Sequence, residues 1–197
     1  MIHKIKIQPT SDPVSLDEMR LHLGIMQFSD NSRDSIISGR IASALQWAEH
    51  YTRTAFMQQT LTGYDHTFPY DLQTGHAISL KSPLLSVASV KYIDQNGLDT
   101  TLDPSLYLVD LVTSVIVPAW GKNWPIARDQ LNSVRVEYSS GFATSDQVPE
   151  SIKDAIRFIV GQWEVFQNSM EGVMRPFTIP NAAKQLLDNY VDMREYF

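Results

Sequence analysis

The chain has 197 residues, no cysteine, and 22 acidic against 16 basic side chains, for a formal net charge of −6. A chain of this size buries roughly 70% of the surface its unfolded form exposes, so it needs no staple, and without cysteine it has neither disulfides nor thiolate metal ligands. The acid excess argues against a protein that takes its affinity from phosphates, on nucleic acid or on an anionic membrane.

The opening "MIHKIKIQPTSDP" is too short and too charged for a signal peptide. No apolar run reaches the roughly 18 residues of a membrane span, so a soluble chain with no visible address is expected. There is no internal repeat and no low-complexity segment. Residues 1–56 read as helical. In "PVSLDEMRLHLGI", Ser15 stands at an N-cap with Glu18 three residues on, the pattern of a capping box. Val14 and Met19 are spaced for a hydrophobic staple, and Gly24 suits the stop. After the polar break "FSDNSRDS", a long stripe follows at helical spacing: Ile37, Ile41, Ala44, Ala48, Tyr51 and Ala55, widened by Ile36, Leu45 and Trp47.

From Met57 the period changes to that of strands. Val90 and Tyr92 share a phase, and Asn96-Gly97 is a strong hairpin signal because both residues tolerate positive φ. Asp103-Pro104 marks another turn. Tyr107, Val109 and Leu111 alternate, and "TSVIVP" continues the sheet. In "SVRVEYS", Val134, Val136 and Tyr138 take one face and Arg135 and Glu137 the other. At Pro149 a helix begins, since proline suits a first turn. Its stripe is Ile152, Ala155, Ile156, Ile159, Trp163 and Phe166, and such a stripe must be buried against something.

The economical architecture pairs that stripe with the one on residues 37–55. The fold class expected is therefore α+β: a helical bundle formed by N- and C-terminal helices, with an inserted antiparallel β region. The domains are residues 1–56 plus 149–180 (helical), 57–148 (β) and 181–197, a C-terminal segment. In that last piece Leu186, Leu187 and Tyr190 lie on one side, and Tyr196 and Phe197 end it. Spacing alone leaves two readings for the segment, docking on its own core or reaching a neighbour.

The usual catalytic sets do not occur. There is no phosphate loop, no H-E-x-x-H, no nucleophile elbow and no calcium loop. The five histidines lack ligand-like spacing. Asp65-His66 is the one adjacent acid–imidazole pair, and neighbours on a strand point to opposite faces, which makes a poor relay. Trp120 and Trp124, in "AWGKNWP", suit either a stacking platform for a sugar or base or a loop-packing cluster; packing is the simpler account. Charge is distributed unevenly. Residues 1–56 carry six basic and six acidic side chains, 57–149 carry five and nine, and 150–197 carry five and seven. The excess thus sits in the strand region, where most aspartates read as turn chemistry.

In their order and spacing, "PVSLDEMRLHLGI", "ALQWAEHYT" with "QQT", "LKSPLLSVASVKYIDQNG", "LDPSLYLVD", "VRVEYSSGF" and "VPESIKDAI" resemble the head–tail connector (adaptor) proteins of long-tailed double-stranded DNA phages, prophages and gene transfer agents. The resemblance runs from Pro13 to about Tyr190. It departs at Gly24, where relatives usually have a basic residue, and at "YTRTAF", which lacks a common glycine. The resemblance implies a structural virion protein, not an enzyme, with no cofactor or metal. It implies a twelve-fold ring beneath the portal protein, assembled in the bacterial cytoplasm. Such a ring extends the DNA channel without binding DNA specifically and gives a stopper or tail-completion protein a landing surface. On that basis Leu186, Leu187, Tyr190, Tyr196 and Phe197 are candidates for docking on the portal or a neighbour, and no membrane partner is expected. An isolated subunit is expected to be monomeric at low concentration. The rival readings are a small hydrolase or carbohydrate-binding module centred on Trp120, Trp124 and Asp65, and a different neck or tail-completion protein.

Overall fold

A computed structural model describes residues 1–25, 33–70, 76–168 and 179–194, with the side chains of 165–168 excepted. The chain is α+β, with antiparallel sheets and, among the described residues, four α-helices. It divides into two compact units, each assembled from separate stretches of chain. One comprises Met1–Pro9 with Gln58–Gly141, the other Thr10–Met57 with Phe142–Phe197.

The sheet unit begins with β1 (Ile2–Ile7). The reading of residues 1–56 as helical fails here. Lys4, Ile5, Lys6 and Ile7 alternate at the period of a strand, and β1 pairs antiparallel with β2 (Gln59–Asp65). The remaining strands are β3 (Ile78–Ser79), β4 (Leu84–Ile93), β5 (Asp99–Thr101), β6 (Tyr107–Asp110), β7 (Val115–Pro118) and β8 (Val134–Ser140). A five-stranded sheet runs in the order β1-β2-β8-β4-β5, and a three-stranded sheet in the order β3-β7-β6. All of these pairs are antiparallel.

The expected alternation on β8 holds: Val134, Val136 and Tyr138 are buried, together with Leu61, Val90, Phe68 and Ile116. Asn96-Gly97 forms the tip of the β4–β5 hairpin. Gly97 has φ +88°, and the Asp94 carboxylate accepts the N–H groups of Asn96 and Leu98. The alternation expected over Tyr107, Val109 and Leu111 fails: of the three, Tyr107 alone is buried, Val109 is already exposed within β6, and Leu111 lies in the turn after Asp110. There the Asp110 carboxylate accepts the Val112 N–H and the Thr113 hydroxyl, which fixes the turn one residue early.

The helical unit contains α1 (Leu16–His22), α2 (Asp34–Thr52), α3 (Glu150–Asn168) and α4 (Asn181–Leu187). The capping box forms as the sequence suggests. Glu18 N–H donates to the Ser15 hydroxyl at 3.2 Å, and Ser15 N–H donates to the Glu18 carboxylate at 2.7 Å. That carboxyl is held below its usual range, chiefly by the Ser15 backbone N–H. Val14 and Met19 are fully buried, and Gly24 takes φ +70° after the last turn. α2 stops at Arg53, whose φ of 60° is left-handed.

One buried cluster contains Ile37, Ile41, Ala44 and Ala48 of α2 together with Ile152, Ala155, Ile156, Ile159 and Trp163 of α3. The two stripes therefore share a core. Ile36, grouped with the first stripe by spacing, is instead exposed. Phe166 lies outside the described side chains.

Candidate functional site

Three surfaces bear on function. The first is the C-terminal segment. Ala183 and Leu187 of α4 are fully buried in the helical unit's own core, and Leu186, Ile179 and Tyr190 pack half-buried against it. Polar contacts reinforce this docking. The Tyr190 hydroxyl lies 2.8 Å from the Ser151 hydroxyl of α3, and Asp192 N–H donates to the Thr52 carbonyl at 2.8 Å. Tyr51, stacked on Trp47 with ring centroids 5.1 Å apart, donates its hydroxyl to Asp188 at 2.6 Å. The Asp188 carboxylate holds the Tyr51 phenol above its ordinary pKa, since losing the proton would set two anions together. Of the two readings spacing left open, own-core docking therefore describes Leu187 in this conformation. The half-buried Leu186 and Tyr190 keep some outward surface. Tyr196 and Phe197 lie outside the described residues.

The second surface is the flank of the helices, which is laced with ion pairs. Glu164 of α3, buried, meets the guanidinium groups of Arg33 and Arg40, and the buried Arg20 of α1 meets Asp34 of α2. Arg157 sits 2.5 Å from Glu150, 2.8 Å from Asp154 and 3.7 Å from Glu18. Buried carboxylates persist where cations and hydrogen bonds replace lost water. Nearby, His22, Leu23, Ile25, Phe158 and Pro180 line a cavity of about 530 Å³. The Glu164 pairs have no signature in spacing, because Arg33 and Arg40 lie more than a hundred residues away along the chain.

The third surface is the solvent face of the five-stranded sheet. Lys4, Lys6, Lys91 and Arg135 line a shallow cavity of about 410 Å³ with Thr62, Tyr64, Ser89 and Glu137. Lys6 pairs with Glu137 at 2.7 Å and Arg135 with Asp99 at 2.5 Å. On the buried side of that sheet, the Tyr138 hydroxyl lies 2.9 Å from His3 Nδ1, and Lys81 N–H donates to the Tyr138 oxygen at 3.4 Å. Burial, aided by Lys81 and the terminal amine, lowers the His3 pKa to about 4, and burial raises that of Tyr138. Both groups are thus held neutral, and with the Lys81 N–H on its oxygen the Tyr138 hydroxyl is placed to donate a hydrogen bond to His3 Nδ1.

Trp120, Trp124 and Asp65 do not form a common site. Trp124 is buried, stacked on Phe68 with centroids 4.9 Å apart, and donates Nε1–H to the His76 carbonyl at 2.6 Å. Trp120 stands 98% exposed beside Gly121. Asp65, at the end of β2, accepts the His66 N–H. The tryptophan pair is thus divided, with one in the core and one displayed. Among the described residues, no three His, Asp or Glu side chains cluster as a metal site, and no helix is long and apolar enough to cross a membrane.

No protein-family model matches the chain, and no curated protein matches it. Solved structures do match. A chain in the neck of an empty gene transfer agent particle, computed with C6 symmetry, superposes with a TM-score of 0.75 at 16% identity, covering 96% of this chain and 95% of that one. A chain in the virion of the native gene transfer agent particle gives the same four values. A chain in the neck of the native particle, computed with C12 symmetry, gives a TM-score of 0.68 at 15% identity over 96% and 94%. At such identities the likeness is one of fold, over nearly the whole length of this chain.

Proposed function

We propose that this chain is a structural protein of the neck of a phage-like particle. In this reading twelve copies ring the channel beneath the portal protein, carry the DNA path onward, and present a surface to a stopper or tail-completion protein. The protein is assembled in the bacterial host cytoplasm, ends in the virion, and performs no catalysis. The observation that carries the reading is the extent of the fold likeness, 96% of the chain against chains of particle necks, one of them computed with C12 symmetry.

Two features of the chain support it. The net charge of −6 suits a wall that DNA must pass without adhering, and aspartates of the strand region or of helix ends are the proposed channel-facing groups. The shared core of α2 and α3 makes the proposed bundle a stiff body, on which α4 is held from inside by Leu187. Leu186, Tyr190, Tyr196 and Phe197 are the groups proposed to meet the portal, with Leu187 setting their position.

The test uses DNA-filled, tailless heads of the phage-like particle to which the chain is proposed to belong. Purified chain is expected to add a ring at the single portal vertex, visible by electron microscopy, and to restore tail joining. Chemical cross-links to the portal protein are expected as well. Heads that remain bare would overturn the reading, and cross-links to tail components alone would favour a tail-completion protein.

A further inference from the structure

The five-stranded sheet is open, and its two edges are unlike. At one edge lies β1, whose outer side has no partner strand among the described residues. Residues 1–9 carry Lys4 and Lys6 and no acid. Ile2, Ile5 and Ile7 of the same strand are 70%, 45% and 58% exposed. At the other edge lies β5, paired among the described residues with β4 alone. Residues 92–103 around it carry Asp94, Asp99 and Asp103 and no base, with Leu98 65% exposed. Among the described residues, each edge thus offers unpaired backbone groups, exposed aliphatic side chains and strand charges of one sign, of which Lys6 and Asp99 are partly offset within the subunit by Glu137 and Arg135.

The geometry points to a contact between copies in which β1 of one subunit lies along β5 of the next, continuing the sheet across the subunit boundary. This contact rests on the ring reading, which requires one chain to carry two different, mutually fitting flanks. Three considerations select it. Lysines on an edge strand guard against like pairing: β1 against β1 opposes Lys to Lys, and β5 against β5 opposes Asp to Asp. Only β1 against β5 brings opposite charges together. Direction also fits. Five strands in unbroken antiparallel order leave β1 and β5 running the same way. A copy carried around an axis along the strands therefore presents β1 parallel to β5, and strand addition of this kind draws its affinity from main-chain hydrogen bonds. Finally, β5 has only three residues, so the contact is short. Many copies held on a template would close a ring that free subunits do not.

Cysteine trapping tests this cleanly, because the chain has no cysteine of its own. Within one subunit β1 and β5 are four strand spacings apart, about 19 Å, far beyond the roughly 7 Å limit for a disulfide, so any bridge must join two copies. Lys4→Cys is combined in turn with Asp99→Cys and with Thr101→Cys. The second pair leaves the Arg135–Asp99 ion pair intact should loss of Asp99 harm folding.

Under mild oxidation the double variants are expected to give a reducible ladder of dimers, trimers and larger species. Each single variant should stay monomeric, and a mixture of the two singles should stop at dimers. Adding Lys6→Glu should weaken the ladder several-fold, and Asp103→Lys on top of it should restore it. A double variant that stays monomeric, or single variants that cross-link as readily as their mixture, would overturn the contact. The ring itself is scored separately, on portal-bearing heads with the cysteine-free chain. Rings without a ladder would remove the edge contact and leave the ring; a ladder without rings would do the reverse.

Discussion

Acidification should loosen the sheet unit through one side chain, His3. Its folded pKa of about 4 lies below the 6.5 of an ordinary histidine, chiefly because burial disfavours the imidazolium. The unfolded chain therefore takes up the proton first. Its contribution is fully present above pH 6.5 and is lost as pH falls from there to about 4. The full difference corresponds to about 3 kcal/mol, most of which should be lost between pH 7.5 and pH 4.5. Urea unfolding of the native chain and of His3→Gln, followed by tryptophan fluorescence at a series of pH values, isolates the effect. Glutamine retains an acceptor for Tyr138 and does not titrate, while all carboxylates titrate alike in both proteins. The native chain should lose stability faster than the variant through this window. A stability difference that stays flat with pH, or a His3 ring that titrates near 6.5 by NMR, would refute the reasoning.

Other expectations follow from the helical unit and the loops. Leu187→Ala should cost about 2–5 kcal/mol in a thermal or urea melt, since it empties a fully buried site; an unchanged melt would mean α4 is not part of that core. Glu164→Ala should cost about 2–3 kcal/mol, because it strips the counter-charge from Arg33 and Arg40, and Glu164→Asp should recover part of it. Ser15→Ala should cost about 1 kcal/mol through loss of the N-cap acceptor, measured by the same melt. Trp120→Ala should leave stability within about 0.5 kcal/mol, as a side chain in open solvent loses no packing; a larger drop would show that it packs on its own chain.

Local chemistry was the most readable part of the sequence. The Ser15/Glu18 box, the Gly24 stop, the Asn96-Gly97 hairpin and the alternation of Val134, Val136 and Tyr138 depend on residues within a few positions of one another, and each stands where its spacing puts it. β1 was misplaced even though Lys4, Ile5, Lys6 and Ile7 alternate. An edge strand with mostly exposed side chains offers no apolar face to read, and its partner β2 lies more than fifty residues on. Trp120 and Trp124 show a similar limit. Two tryptophans four apart in a loop look alike in sequence, and only the position of Phe68 decides which one is covered. The ion pairs of Glu164 depend on Arg33 and Arg40, whose proximity is a product of the fold. A site made of assembly surfaces has no motif to find, because charge sign and edge exposure are set by topology.

The chain passes between its two units three times, after Pro9, after Met57 and after Gly141. During synthesis this imposes an order. The sheet unit has all its strands once Gly141 has left the ribosome. By then the apolar stripe of α2, made some ninety residues earlier, still waits uncovered for α3. The sticky half-finished helices must be tolerated by the nascent chain, or screened by a chaperone, until residues past 150 arrive. Truncated products ending between 57 and 150 should therefore be the ones that clump.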